Sequence, residues 1–246
     1  MTIVDTARAL VIVPTYNERE NIAEVARRLF EAAGGRVALL VVDDGSPDGT
    51  AEVVKQISTG SDEIHLIERA AKQGLGSAYR IGFVWALDHG YEAVVEMDAD
   101  LSHDPADVPR LLDALEDADL VIGSRYVPGG GTRNWGLMRR LLSRFGNLYS
   151  RAWLGFKVKD STAGFRAYRS DWLREVDLST AASDGYAFQV EMTFRTFRAG
   201  KRIAEIPITF VERTQGRSKM SKKIVIEALI RIARWGLTAR RHRHER

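Results

Sequence analysis

The chain has 246 residues, with 36 lysine and arginine residues against 33 aspartate and glutamate residues, and it contains no cysteine. This length suffices for one large α/β domain with a full hydrophobic core, and the absence of cysteine excludes disulfides, thiolate zinc sites and cysteine nucleophiles. The charge is uneven, since residues 213–246 hold 11 basic and 2 acidic residues (+9) and the other 212 hold 25 basic and 31 acidic residues (−6). A basic tail on an acidic body predicts an anionic partner, such as phospholipid, nucleic acid or polyanionic lipid.

Apolar runs and helical spacings alternate along the first half of the chain. Predicted strands cover Ala9–Pro14, Val37–Val42, Ile64–Ile67, Ala93–Met97 and Leu120–Ile122. Predicted helices cover Asn21–Ala33, Gly76–His89 and Val108–Leu115. A further predicted helix follows the Pro47–Thr50 turn and ends at Ile57. This alternation predicts a doubly wound, mostly parallel sheet with helices on both faces. Pro128–Gly131 then separates this half from a mixed second half.

Polar residues follow four of the predicted strands. They occupy Thr15–Glu18, Asp43–Ser46, Asp98–His103 and Ser124–Arg125. Because ligands of such sheets bind at the carboxyl ends of the strands, we expect these segments to gather at one rim.

Two carboxylates, Asp98 and Asp100, stand one residue apart at the end of an apolar run. With a strand period of two, both project to the same side. They repel each other unless a cation lies between them, and Mg²⁺ often combines one or two carboxylates with a substrate diphosphate. The pair therefore predicts a metal-dependent enzyme acting on a nucleotide-linked substrate. The alternative is a strand end followed by an acidic cap, with Asp104-Pro105 beginning the next helix.

Three weaker motifs have the same two interpretations. In Pro14–Glu18, the backbone and Glu18 would meet a nucleobase or ribose beside the Tyr16 ring, or the segment is only a turn. Asp43-Asp44 suits the edge of a base or a ribose, or forms part of a turn. Lys72–Ala78 is typical of a glycine-rich phosphate cradle at a helix start, although it lacks the P-loop order.

Together these motifs resemble the family-2 glycosyltransferases with the GT-A fold, a nucleotide-diphospho-sugar transferase fold. Further segments resemble the polyprenyl-phosphate (dolichyl-phosphate) mannose synthase subgroup. Those segments are Gly123–Tyr126, Asn134–Arg140, Asp160–Arg166, Gly185–Glu191 and Glu212–Lys219. The resemblance covers about residues 8 to 223.

The resemblance implies an inverting enzyme that transfers mannose from GDP-mannose to a polyprenyl monophosphate, giving polyprenyl-phosphate β-mannose. It implies a catalytic group of Asp98, Asp100 and Arg125. It also implies that Asp98, Asp100 and His103 hold Mg²⁺ or Mn²⁺. Relatives usually carry glutamine at the position of His103. The implied donor contacts are Pro14, Thr15, Tyr16, Glu18, Asp43, Asp44, Lys72, Gly74, Ala99, Arg213 and Lys219. The implied acceptor-phosphate contacts are Ser124, Arg125, Arg133, Arg139 and Arg140.

Two other functions stay open from the sequence. The same lipid-phosphate transfer could use a UDP-sugar such as UDP-glucose as donor. A non-catalytic module that docks on membranes is the other alternative. We do not expect nucleic-acid binding, because the body is acidic and Trp235 is the tail's only aromatic residue.

The last segment, Ser221–Arg241, predicts an amphipathic helix. Its polar stripe consists of Lys223, Glu227, Arg231 and Arg234. The remaining wide apolar arc favours a membrane interface, or burial against the sheet, or contact with an integral membrane partner. We therefore expect residues 1–220 to form the catalytic domain and 221–246 a basic membrane-binding or partner-binding helix and tail. No run of about 18 apolar residues is present, so we expect a cytoplasmic protein, peripheral on the cytoplasmic face of the membrane.

Overall fold

A computed structural model describes residues 9–181, 183, 185–212 and 222–241 of the chain. The strands are β1 (Ala9–Thr15), β2 (Val37–Asp43), β3 (Ile64–Glu68), β4 (Ala93–Glu96), β5 (Leu120–Ser124), β6 (Gly131–Arg133), β7 (Arg166–Arg169), β8 (Ile203–Pro207) and β9 (Thr209–Val211). The α-helices are α1 (Ile22–Ala33), α2 (Thr50–Ser58), α3 (Leu75–Asp88), α4 (Val108–Ala114), α5 (Leu137–Leu154), α6 (Ser170–Glu175), α7 (Gly185–Arg198) and α8 (Lys222–Arg241).

Seven strands form one sheet in the order β3-β2-β1-β4-β7-β5-β8. Strand β7 runs antiparallel to its neighbours β4 and β5, whereas the other pairs are parallel. A second, two-stranded parallel sheet joins β6 to β9. The predicted mostly parallel α/β sheet is therefore confirmed, and the carboxyl ends of β1, β2, β4 and β5 share one rim.

The core has two layers, one on each face of the sheet. In β1, for example, Leu10 and Ile12 belong to one apolar cluster and Val11 and Val13 to the other. Such strands are buried on both faces, which explains their uninterrupted apolar runs. Helix α3 crosses β1 so closely that a Cβ at Gly82 would lie 2.6 Å from the Ile12 side chain.

Helix α8 packs along α5. The Tyr149 hydroxyl of α5 donates a hydrogen bond to the Leu229 carbonyl at 3.2 Å, and a Cβ at Gly236 would lie 2.6 Å from the Trp153 carbonyl oxygen. Ile232 is buried in this contact, whereas Ile226 is exposed. One face of α8 is therefore buried, but against helix α5 and not against the sheet, which was one of the predicted arrangements. Among the helices that the structure describes, none is both long and apolar enough to cross a bilayer.

Candidate active site

A cleft of about 700 Å³ opens at the carboxyl rim of the sheet. Most of the residues that the sequence predicted for the site line it. They are Pro14, Thr15, Tyr16, Glu18, Asp44, Lys72, Gly74, Asp98, Ala99, Asp100, His103, Arg125 and Arg139. Segments far apart in sequence therefore meet where a doubly wound sheet places its ligand.

The two carboxylates lie in a turn and not on a strand. Strand β4 ends at Glu96, and the turn includes Leu101 with a positive φ of 58°. The Ser102 amide donates a hydrogen bond to Asp100 Oδ1 at 3.1 Å. Asp98 and Asp100 therefore do not follow a strand period of two, which was the predicted reason for their shared side, although both residues line the same cleft.

The His103 ring is buried below this turn. It stacks on Phe165 with 5.0 Å between the ring centres, and the Asp98 amide donates to its Nδ1 at 3.4 Å. Burial lowers the pKa of His103 to about 4. The imidazole is therefore neutral near pH 7, which is the form that binds metals.

These residues fit a divalent cation whose coordination a ligand completes. Among the described residues, no group of three His, Asp or Glu side chains is gathered closely enough to hold an ion alone. Space exists beside the carboxylate, since a Cβ at Gly164 would lie 3.7 Å from Asp98 Oδ2 and 3.8 Å from His103 Cε1 without a clash. Carboxylate oxygens suit Mg²⁺ and Mn²⁺, and Mg²⁺ sites commonly combine one or two carboxylates with substrate phosphates.

Asp43 and Asp44 have different surroundings despite their adjacency. Asp43 accepts hydrogen bonds from the Thr15 hydroxyl at 2.7 Å and from the Ser46 amide at 2.8 Å, so it braces the turn and does not line the cleft. Asp44 lines the cleft and forms a buried ion pair with Arg69.

Arg69 was not predicted from the sequence, where it is one charged residue after β3. Its guanidinium also donates to the Ser77 hydroxyl at 2.9 Å and to the Gly74 carbonyl at 3.3 Å. It therefore fixes the glycine-rich loop to the end of β2. Within that loop, Lys72 Nζ lies 4.3 Å from the centre of the Tyr16 ring.

Arg125 occupies the opposite end of the cleft. It is buried and forms a bidentate ion pair with Asp160, with Nε–Oδ2 at 2.7 Å and Nη2–Oδ1 at 2.6 Å. Its guanidinium carbon lies 5.2 Å from the Trp135 ring centre, and that of Arg139 lies 4.4 Å from the same ring. Arg139 is also paired with Glu212.

A small apolar pocket, which we call the channel, adjoins the cleft at Arg125, Trp135 and Arg139. Its volume is about 90 Å³, and it lies between α5, α7 and α8. Its apolar lining includes Leu142, Phe145, Val190, Leu229 and Ile232. The cleft, which holds the charged side chains, thus adjoins an apolar pocket.

Several predicted site residues do not line this cleft. Ser124 is buried and its hydroxyl accepts from the Tyr126 amide, while Arg133 and Arg140 are exposed. Arg213 and Lys219 lie outside the described residues.

Other cleft residues received no role in the site from the sequence, although Glu227 and Arg231 were predicted in the polar stripe of the last helix. These cleft residues are Leu75, Trp135, Thr162, Ala163, Gly164, Gly185, Tyr186, Ala187, Gln189, Ile208, Phe210, Glu227, Ala228 and Arg231. Many of them belong to segments that carry the family resemblance, which was the available signal.

Comparisons with known proteins agree with this geometry. The family model for glycosyl transferase family 2 matches residues 10–177. The chain is 53% identical over 233 residues to an undecaprenyl-phosphate mannosyltransferase of Micrococcus luteus, covering 95% of this chain and 96% of that one. It is 49% identical over 241 residues to a polyprenol monophosphomannose synthase of Mycolicibacterium smegmatis, covering 97% and 91%.

Solved structures share the fold at lower identity. A glucosyl-3-phosphoglycerate synthase from Mycobacterium tuberculosis, in complex with Mn²⁺ and UDP-glucose, matches with a TM-score of 0.65 and 22% identity, covering 92% of this chain and 79% of that one. A mannosyltransferase from Pyrobaculum calidifontis, in complex with GDP-mannose and Mn²⁺, matches with a TM-score of 0.56 and 22% identity over 86% and 58%. The fold is of the GT-A type, and the chain belongs to glycosyl transferase family 2.

Proposed function

We propose that this protein transfers mannose from GDP-mannose to a polyprenyl monophosphate, giving polyprenyl-phosphate β-mannose with inversion at the anomeric carbon. The observation that carries the proposal is the cleft itself, in which an acidic, metal-compatible turn faces a buried arginine at the mouth of an apolar channel. The names of relatives at 53% and 49% identity support the same substrates.

The donor fits the chamber between β1, β2 and β4. Asp44 offers a carboxylate to a base or ribose, and its ion pair with Arg69 fixes its orientation. Lys72 and the acidic turn at Asp98–Asp100 then border the place for the diphosphate. A divalent cation held by Asp98 and Asp100, with its coordination completed by the donor diphosphate, would offset the negative charge that grows on the leaving group.

The acceptor fits the other end. Arg125 and Arg139 lie at the junction where a phosphate would stop and an isoprenoid chain would enter the channel. The buried indole N–H of Trp135, which lines both cavities, has no hydrogen-bond partner among the described residues. Guanidinium and indole donors match phosphate oxygens, and the channel's aliphatic and aromatic lining matches the lipid.

The reaction needs no strong general base. A phosphate monoester has its second pKa near 6, so its oxygen is largely ionised at neutral pH. That oxygen attacks the anomeric carbon as the bond to the GDP oxygen breaks, and attack from the opposite face gives a β-linked product from an α-linked donor. Arg125 would hold the attacking phosphate and reduce its repulsion from the donor diphosphate.

We further propose that one face of the molecule binds the membrane surface. The exposed apolar side chains of α5 and α8 form this face, which we call the α5–α8 face. They are Leu137, Met138, Leu141, Leu142, Phe145 and Leu148 of α5 and Ile226, Ile230 and Leu237 of α8. Arg231, Arg234 and Glu227 line a shallow groove with Ile226, Ile230 and Trp235, and Glu227 is paired with Arg231. This mixture of basic and apolar side chains suits an anionic lipid interface.

Membrane docking at this face would bring the channel close to the lipid acceptor. The channel is lined by Leu142 and Phe145 of α5 and by Leu229 and Ile232 of α8, so the same two helices form both features. The protein would then act as a peripheral protein on the cytoplasmic face. The α5–α8 face would equally suit an integral membrane partner, and protein-free vesicles distinguish the two.

The direct test is transfer of label from GDP-[¹⁴C]mannose to polyprenyl phosphate in the presence of Mn²⁺ or Mg²⁺. We expect label in the organic phase that survives mild base and is released by mild acid. A parallel reaction with UDP-[¹⁴C]glucose tests the alternative donor. Transfer from the UDP-sugar alone would replace the donor assignment, and no transfer from either donor by folded protein would refute the enzyme assignment.

A further inference from the structure

We propose that Asp160 is a positioning residue that fixes how Arg125 presents its guanidinium to the acceptor phosphate, an inference that rests on the proposed function. Asp160 is fully buried and lines neither the cleft nor the channel. It would therefore act through Arg125, without touching either substrate.

The carboxylate occupies one defined edge of the guanidinium. Oδ2 accepts from Arg125 Nε at 2.7 Å and from the Arg125 amide at 2.9 Å, while Oδ1 accepts from Nη2 at 2.6 Å. Nη2 also donates to the Thr162 hydroxyl at 3.0 Å. Within the described part of the chain, Nη1 has no hydrogen-bond partner, so its two N–H groups are the ones left for a ligand.

Asp160 is itself held from two sides. Its amide donates to Glu205 Oε1 of β8 at 2.9 Å, and Asn147 of α5 approaches Oδ1 with its Nδ2 at 3.4 Å. Asn147 is fixed in turn, because its Oδ1 accepts from the Ser161 hydroxyl at 3.0 Å. The Asp160 backbone is therefore fixed to the sheet, and its carboxylate to a helix of the proposed membrane-binding face.

Aromatic rings restrict the guanidinium further. Its carbon lies 5.2 Å from the Trp135 ring centre, 5.4 Å from that of Tyr126 and 5.8 Å from that of Phe210. Burial alone would raise the pKa of Asp160, but the charge and hydrogen bonds of Arg125 bring it below its ordinary value. Both partners are therefore charged, and removing the carboxylate would leave a buried arginine unpaired and free to reorient.

The test replaces Asp160 with asparagine, which keeps the shape and removes the charge. We expect the KM for polyprenyl phosphate to rise about tenfold to a hundredfold, the range for losing a charge-assisted hydrogen bond. The affinity for GDP-mannose should change less than about twofold, because Asp160 lines neither cavity and its carboxylate bonds to Arg125, the proposed acceptor-phosphate contact. Thr196→Val is the matched control, since it removes a buried hydrogen bond to the Trp172 indole away from the cleft and should change neither constant.

A double-mutant cycle separates positioning from general damage. In an Arg125→Gln background, Asp160→Asn should have no further effect on the acceptor KM, because the group that it positions is gone. Independent, additive effects would overturn the inference, as would a wild-type acceptor KM in Asp160→Asn alone. If that variant does not fold, Asn147→Ala takes its place, because Asn147 lines neither cavity and contacts the Asp160 carboxylate. A rise of about threefold to tenfold is expected for one lost neutral hydrogen bond, and an unchanged acceptor KM would overturn the inference.

Direct binding of polyprenyl phosphate, followed by tryptophan fluorescence, keeps the two proposals distinguishable. Wild-type protein that binds the lipid phosphate without transferring mannose would contradict the proposed function alone, and the affinity of Asp160→Asn would still decide the role of Asp160. Wild-type protein that binds no lipid phosphate would overturn both.

Discussion

The exposure of apolar side chains on the α5–α8 face sets how much their replacement should weaken membrane binding. Leu137 and Met138 of α5 are 71% and 77% exposed, although apolar residues of this size are usually inside. Full burial of one such side chain stabilises the buried state, relative to the exposed one, by about 1.5–3 kcal/mol. If an interface covers half of the exposed area of both residues, the gain is about 1–2 kcal/mol. Replacing both with glutamine should therefore weaken vesicle binding roughly fivefold to thirtyfold, at about 1.4 kcal/mol per factor of ten.

The assay is co-sedimentation with protein-free vesicles that contain phosphatidylglycerol. Val84→Gln provides the control, because Val84 is a 49% exposed apolar residue on α3, outside the α5–α8 face. The double variant should keep the wild-type circular dichroism spectrum and melting temperature, since its changed side chains are exposed. Vesicle binding equal to that of the wild type, or an equal loss in Val84→Gln, would refute the assignment of this face.

Two further predictions concern stability. Gly82→Ala should lower the melting temperature by about 2–4 °C, the effect of about 1 kcal/mol in a domain of this size, because its Cβ would lie 2.6 Å from the Ile12 side chain. Gly146→Ala, with nothing within 4 Å of its Cβ, should not lower the melting temperature. Equal effects of the two substitutions would refute the packing argument. Burial raises the pKa of Glu96 to about 7, so the native state binds this proton more tightly than the unfolded state and loses stability as pH rises from about 4.5 to 7. Denaturant titrations across that range should show Glu96→Gln gaining stability relative to the wild type as pH rises, and a constant difference would contradict the shifted pKa.

The first half of the fold was predictable because its strands are buried on both faces. Val37–Val42 is an unbroken apolar run, and the structure places every residue of β2 in the core. Element ends were less certain, since a methionine can continue an apolar run without continuing the strand. That is how Met97 was assigned to β4, although the strand ends at Glu96.

The second half was harder because it buries several polar and charged side chains among its apolar ones. Strand β7 begins at Arg166, which is fully buried and satisfied by the carbonyls of Ser161, Ala163 and Gln189. A buried arginine in a short strand has no periodic apolar signal, and α7 likewise buries Gln189 and Glu191. Tertiary partners, which are invisible in the sequence, decide these elements.

The site was predictable where several strand ends carried polar residues, because topology alone brings strand ends together. The residues that hold those groups in place were not predictable. Arg69 pairs with Asp44, and Asp160 pairs with Arg125 across 35 positions of sequence. An isolated charged residue gives no indication of its partner until the fold supplies one.

We infer that Asp98 and Asp100 hold a divalent cation whose coordination the donor diphosphate completes. Isothermal titration of GDP-mannose with and without Mn²⁺ tests this inference most directly, using the wild type and Asp100→Asn. We expect Mn²⁺ to strengthen wild-type binding at least about tenfold, the effect of about 1.4 kcal/mol, and Asp100→Asn to lose most of this gain while remaining folded. Binding of equal strength with and without Mn²⁺, or a full Mn²⁺ effect in Asp100→Asn, would contradict it.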